Sequence, residues 1–196
     1  MKHEITASDI LSLADYEAIR VEKRAAIMEM KKNRRVSVGP YATFYFENYD
    51  TMWLQVQEML RSEKGGDAQL IEELRAYNPM IPNGQELTAT LMFEITDPLR
   101  RQALLATLGG VEQTVELRFD GEIVKAVAEQ DLDYTSAEGK ASSVQFLHFP
   151  FTATQKAKFT APTQEVIIAL THPHYGHMAI MPQNVRVELT KDFNPK

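Results

Sequence analysis

Three of the chain's five histidines lie within Thr171-His172-Pro173-His174-Tyr175-Gly176-His177. Neutral imidazole is the commonest metal ligand and the side chain that titrates nearest neutral pH, so this density is the first place to look for chemistry. His172 and His174 are two residues apart, and in an extended backbone both rings project to one side. With His177 closing the set, three imidazoles and an open position suit zinc or iron, and a water bound there would become hydroxide near neutral pH. His148 shares a strand face with Val144 and Phe146; if its strand pairs with Glu165 to Leu170, it adds a fourth ligand or a hydrogen bond to one. Against the metal stands Pro173-His174-Tyr175-Gly176, which is turn chemistry. The alternative is a solvated loop whose histidines bond to backbone or pack on Tyr175.

A second cluster, Lys31, Lys32, Arg34 and Arg35, comes after a helical stretch. It suits an anion or a nucleotide, although cations also collect at helix C-termini because they complement the helix dipole. Glu58, Arg61 and Glu63 are spaced to bind substrate or to pair among themselves. Trp53 with Met52 and Met59 reads as core or as the wall of an aromatic, sulfur-rich pocket. Nucleophile-elbow, H-E-x-x-H, dinucleotide-binding and P-loop patterns are all missing, so no catalytic residue is assigned. With no cysteine in the chain, thiolate nucleophiles, disulfides and cysteine-held clusters are excluded. A net charge of -6 argues against nucleic acid or anionic lipid as a partner of the whole molecule.

The elements that must position these residues are readable from caps and periodicity. Thr6 with Asp9 and Ser12 with Asp15 predict two short helices joined by a bend, with a third from Val21 to Lys32. Val36 to Val38 and Thr43 to Phe46 flank a turn at Gly39-Pro40 and predict a hairpin. Asp50 is placed to cap a helix over about 51–61, and Asp67 another that runs to about Tyr77. Leu87, Ala89, Leu91, Phe93 and Ile95 alternate with Thr88, Thr90, Met92 and Glu94, the period of a strand with one well-buried face. Asp97-Pro98 starts a helix, Asp120-Gly121 predicts a tight hairpin, and Met181-Pro182 precedes a last short helix. Residues 131–140 read as an exposed loop. At 196 residues with 44% hydrophobic content, the chain has enough apolar surface for a core and no stretch of membrane-span length. Its N-terminus lacks a signal-peptide core, which points to the cytoplasm. Hairpins mixed with capped helices predict one α+β domain over residues 1–196, with an antiparallel or mixed sheet, an N-terminal group of helices and further helices packed on it.

Several segments together carry a resemblance. Lys31-Lys32-Asn33-Arg34-Arg35-Val36 with Gly39-Pro40, Gln57-Glu58-Met59-Leu60-Arg61, Tyr77-Asn78-Pro79 and Ile81-Pro82-Asn83-Gly84 resemble a bacterial family designated domain of unknown function 3501. The similarity continues through Leu87 to Met92 and Val144 to Phe149, covering nearly the whole chain. The resemblance implies company with rubrerythrin-like and iron–sulfur proteins, and so a link to non-haem iron, redox or peroxide handling. It transfers no catalytic residue. Two functions are compatible with these features: an accessory or binding protein without catalysis, or a small metal-dependent enzyme on His172, His174 and His177 with His148 or Glu58 as acid or base.

Overall fold

The computed structural model describes residues 2–129, 134–162 and 164–193. After a 3-10 turn at Ala7–Asp9 come α1 (Leu13–Lys31), β1 (Arg35–Val38), β2 (Ala42–Phe46), α2 (Tyr49–Glu63), α3 (Gly66–Tyr77) and β3 (Glu86–Phe93). The chain continues through α4 (Pro98–Leu105), β4 (Val115–Phe119), β5 (Glu122–Lys125), β6 (Val127–Ala128), β7 (Val144–Pro150), α5 (Ala153–Thr160), β8 (Ile167–His172), β9 (Tyr175–Ile180), α6 (Gln183–Leu189) and a 3-10 turn at Thr190–Phe193. Among the described residues the strands form two antiparallel sheets, β1-β2-β3-β7-β6 and β5-β4-β8-β9. The fold is α+β.

Local chemistry accounts for most boundaries. Thr6 and Asp9 form the expected capping box, and Ser12 accepts from the Asp15 amide. Beyond Ser12 the chain forms one continuous helix rather than two, because no glycine or proline interrupts Leu13 to Lys31. Asn48, not Asp50, caps α2, with Thr51 answering it. At the β4–β5 hairpin Asp120 (φ 45°) and Gly121 (φ 74°) both take the left-handed conformation that a two-residue turn of this hand requires. Residues 131–133 of the expected exposed loop lie outside the described residues; from Tyr134, itself buried, the chain turns back through a Thr135–Ala141 bridge.

Two cores sit on opposite faces of the first sheet. Phe44, Phe46, Leu91, Phe93, Leu147 and Phe149 pack with Leu117, Ile168 and Leu170 of the second sheet, and Phe159, Leu189 and Phe193 close that core. On the other face Ile5, Tyr16, Met52, Trp53, Val56 and Met80 form a helical layer against which Phe146 packs. β3 therefore has two buried faces rather than one: on the helical side Thr88 is buried and donates to Met80 O (2.6 Å) in the turn after α3, and Thr90 is buried and donates to Glu47. Tyr16 Oη (2.5 Å), Arg20 Nε (2.7 Å) and Arg24 Nη1 (2.9 Å) donate to Glu58, locking α1 onto α2. The Arg20 hydrogen bond outweighs burial and holds the Glu58 carboxyl down to about 2. The Glu58–Arg61 pairing expected from spacing gives way to this network, and Arg61 bonds Glu17 (2.5 Å) instead.

Three polar contacts tie distant elements together. Tyr175 Oη, on the second sheet, donates to Val38 O and accepts from the Tyr41 and Ala42 amides, all at 2.9 Å, so it clamps the β1–β2 turn. Arg34, 1% exposed, donates to Phe46 O (3.0 Å), Glu47 O (2.8 Å) and the carboxylate of the buried Asp192 (2.5 Å). Burial pushes the Asp192 carboxyl up against the pull of Arg34. His148 on β7 sits between Glu86 Oε2 (3.1 Å from Nδ1) at the start of β3 and Glu129 Oε2 (2.9 Å from Nε2) just after β6. Burial favours the neutral ring, but the two carboxylates prevail and raise its pKa above the ordinary value near 6.5.

These buried charges set two expected outcomes. Replacing Arg34 by Met strands the Asp192 carboxylate in the core and should cost about 3–5 kcal/mol in urea unfolding, most of it recovered when Asp192 is also replaced by Leu. Because the folded state favours protonated His148, its stabilisation is present below about pH 6.5 and is lost as pH rises through the raised value. Between pH 6 and 9 the parent should lose about 2–4 °C of Tm that a His148→Gln variant keeps, the size of a ~1 kcal/mol effect in a chain this long.

Candidate functional site

The residues of the first sheet that face the helices make the floor of a groove. Tyr45, Thr90 and Phe146 are in register across β2, β3 and β7, and so are Thr43, Met92 and Val144. Antiparallel partners point to the same face, so each row presents its side chains together. Met52 and Gln55 come down from α2, one turn apart, Tyr77 closes the end of α3, and Lys31 stands at the end of α1. The groove is open to solvent and has a volume of about 330 Å³. A neighbouring hollow of about 380 Å³ shares Tyr77 and Phe146, whose rings meet edge to face at 6.4 Å, and is lined further by Arg75 and Glu129.

Glu47 is the charged residue buried in this groove. It occupies the residue between the end of β2 and the Asn48 cap of α2, and its backbone is held from both sides: its amide donates to Thr88 O (2.9 Å) and its carbonyl accepts from Arg34. The side chain is 3% exposed. Oε1 accepts from Thr90 Oγ1 at 2.8 Å, whereas Oε2 has no hydrogen-bond partner among the described residues. Gln55 donates to Tyr77 Oη at 3.4 Å, so the phenol proton is left to donate elsewhere, and burial raises the Tyr77 pKa and keeps that proton in place. The arrangement offers a hydrogen-bond acceptor at depth, a phenol on the wall and a cation near the end of α1, around an otherwise apolar and sulfur-rich surface. That is the makeup of a small-molecule site.

The residues expected from spacing are placed elsewhere or differently. The histidine segment is the β8–β9 hairpin, with His172 opposite Tyr175 and His177 opposite Leu170. The His172 and His174 rings lie 5.8 Å apart, while His177 packs elsewhere. His172, 7% exposed, lies with Nε2 3.3 Å from Gly109 O and accepts the His174 amide on Nδ1. His174 sits in the turn, and His177 packs on the Tyr175 ring (4.5 Å between centroids) beside Gly39, where a Cβ would lie 2.7 Å from its ring. Among the described residues no three His, Asp or Glu side chains group to hold a metal ion. His148 is not on a strand next to this hairpin: β7 pairs with β3 and β6, while β8 pairs with β4 and β9, so the expected register between them does not form.

The basic cluster divides in the same way. Lys32 bonds Glu29 (2.5 Å), Arg34 is the buried anchor, Arg35 falls in the Arg35–Tyr45 register at the exposed edge, and only Lys31 lines the groove. Trp53 belongs to the helical core, its indole N–H donating to Asp9 O (2.8 Å), whereas Met52 serves both that core and the groove. Glu47 escapes a reading of the sequence because a lone carboxylate after Phe44-Tyr45-Phe46 looks like the polar end of a strand. The available signal is its position, an acidic residue wedged between an apolar run and a helix cap.

Comparison with known proteins agrees with the geometry and adds no activity. The chain aligns over 97% of its length with 99% of a chain from Burkholderia pseudomallei K96243, whose crystal structure is described as a novel protein of unknown function, at 36% identity and a TM-score of 0.89. No curated protein matches. The family described as "Protein of unknown function (DUF3501)" matches residues 4–193, and the chain belongs to that family.

Proposed function

We propose that this chain is a non-catalytic binding protein whose ligand occupies the groove above the first sheet. The observation that carries the proposal is Glu47 Oε2, a carboxyl oxygen buried in the groove without a partner among the described residues. Leaving a buried polar atom unmade costs about 1–3 kcal/mol, more for a charged group, and a ligand that donates to it recovers that cost on binding. The remaining lining favours recognition over turnover: it includes a single carboxyl and no histidine or serine from which an acid–base or nucleophilic relay is usually built. The family resemblance supplies the finer part of the proposal, an accessory role in non-haem iron, redox or peroxide handling in the cytoplasm, alongside rubrerythrin-like and iron–sulfur proteins. No helix among the described residues is long and apolar enough to cross a membrane.

Glu47→Gln separates a ligand-binding role from a structural one. The unliganded variant should melt at the parent's temperature or about 2–4 °C above it, the range of a ~1 kcal/mol gain in a chain this long. In a thermal-shift screen of small amines, amino acids and carboxylic acids, compounds that raise the parent's Tm should leave the variant unmoved. A variant that is less stable yet responds to the same compounds would make Glu47 a structural residue and remove the basis of the proposal.

A further inference from the structure

We infer that the ligand is a zwitterion, an α-amino acid with an apolar side chain, bound with its ammonium group on Glu47 and its carboxylate on Lys31. The inference rests on the reading of the groove as a ligand site and names what that site selects. Glu47 Oε2 requires a donor, and an ammonium group brings three. Lys31 lines the same groove and forms no ion pair among the described residues, so an acid and a base of one small site stand there without neutralising each other. A ligand carrying one sign alone would meet one of them favourably and the other unfavourably. A ligand carrying both signs on groups attached to one carbon bridges the two.

The rest of the groove fits the third substituent of that carbon. Met52, Met92, Val144 and Phe146 give an apolar surface, two of them with flexible thioethers that adapt to side chains of differing shape. The volume of about 330 Å³ accommodates a single amino acid. The Tyr77 phenol, freed by accepting from Gln55, is available to donate to a carboxylate.

Isothermal titration calorimetry of the full chain with L-phenylalanine, phenethylamine and 3-phenylpropionate tests the inference, with L-leucine and L-methionine alongside. L-phenylalanine, L-leucine or L-methionine should bind. For the phenyl series, phenethylamine should bind at least tenfold more weakly than the amino acid and 3-phenylpropionate not detectably. Lys31→Met, an exchange at a half-exposed position, should weaken the amino acid at least tenfold and leave the amine bound as tightly or more tightly, while Glu47→Gln abolishes both. If the amine equals the amino acid, or Lys31→Met leaves amino-acid binding unchanged, the zwitterion is overturned and the Glu47 groove stands as an amine site. If none of the five compounds binds, the zwitterion is overturned, and the thermal-shift screen with Glu47→Gln then decides whether the groove reading falls with it.

Discussion

The structure depends on one buried guanidinium. Arg34 lies just past the end of α1, and its fork reaches the last carbonyl of β2, the carbonyl of Glu47 and the Asp192 carboxylate in the closing 3-10 turn. Three parts of the chain separated by up to 158 residues are thereby fixed to one planar group. Only arginine presents donors in that geometry, and a charge taken out of water is tolerable only when its donors are this fully occupied. The same fork sets the backbone from which the Glu47 side chain rises into the groove. The foundation of the fold and the orientation of the candidate site are one set of hydrogen bonds.

The first sheet explains why a site exists where it does. One of its faces is filled with Phe, Leu and Val and packs on the second sheet; the other carries threonines, Met92, Val144 and Phe146 and packs on helices. A face of large branched side chains would interdigitate with the helices and leave no space. Thr90, small and polar, leaves room between floor and roof at the row where Glu47 enters. The groove is the consequence of packing helices against a face that is mixed in size and polarity.

Much of the fold is legible in the sequence because its determinants are local. The Thr6 box, the Asp97-Pro98 helix start and the Asp120-Gly121 hairpin each depend on neighbours within a few residues, and each is found as expected. The site is not legible because its determinants are distant. Arg34 reads as one more cation at a helix end, and nothing nearby announces Asp192. Glu47 matters only because Thr90, Tyr77 and Lys31 arrive around it from three other elements. Histidine density, the most visible local feature, belongs to a hairpin where Tyr175 and His177 press against Gly39. The alternation in β3 suggests a half-buried strand because alternation reports chemical difference between faces, and here the less apolar face is covered as well.

The roof of the groove is a single excursion of the chain. α2 and α3 leave from the end of β2 and return to the start of β3, strands that are neighbours in the sheet below. Both ends of the roof are therefore anchored to the floor, and Glu58 fastens its middle to α1. Wider opening of the groove draws on the breathing of residues 49–77, local openings whose free energy lies below that of global unfolding. A molecule that packs against this cover adds to the cost of each such opening, so occupancy of the groove and the stability of the helical layer are coupled.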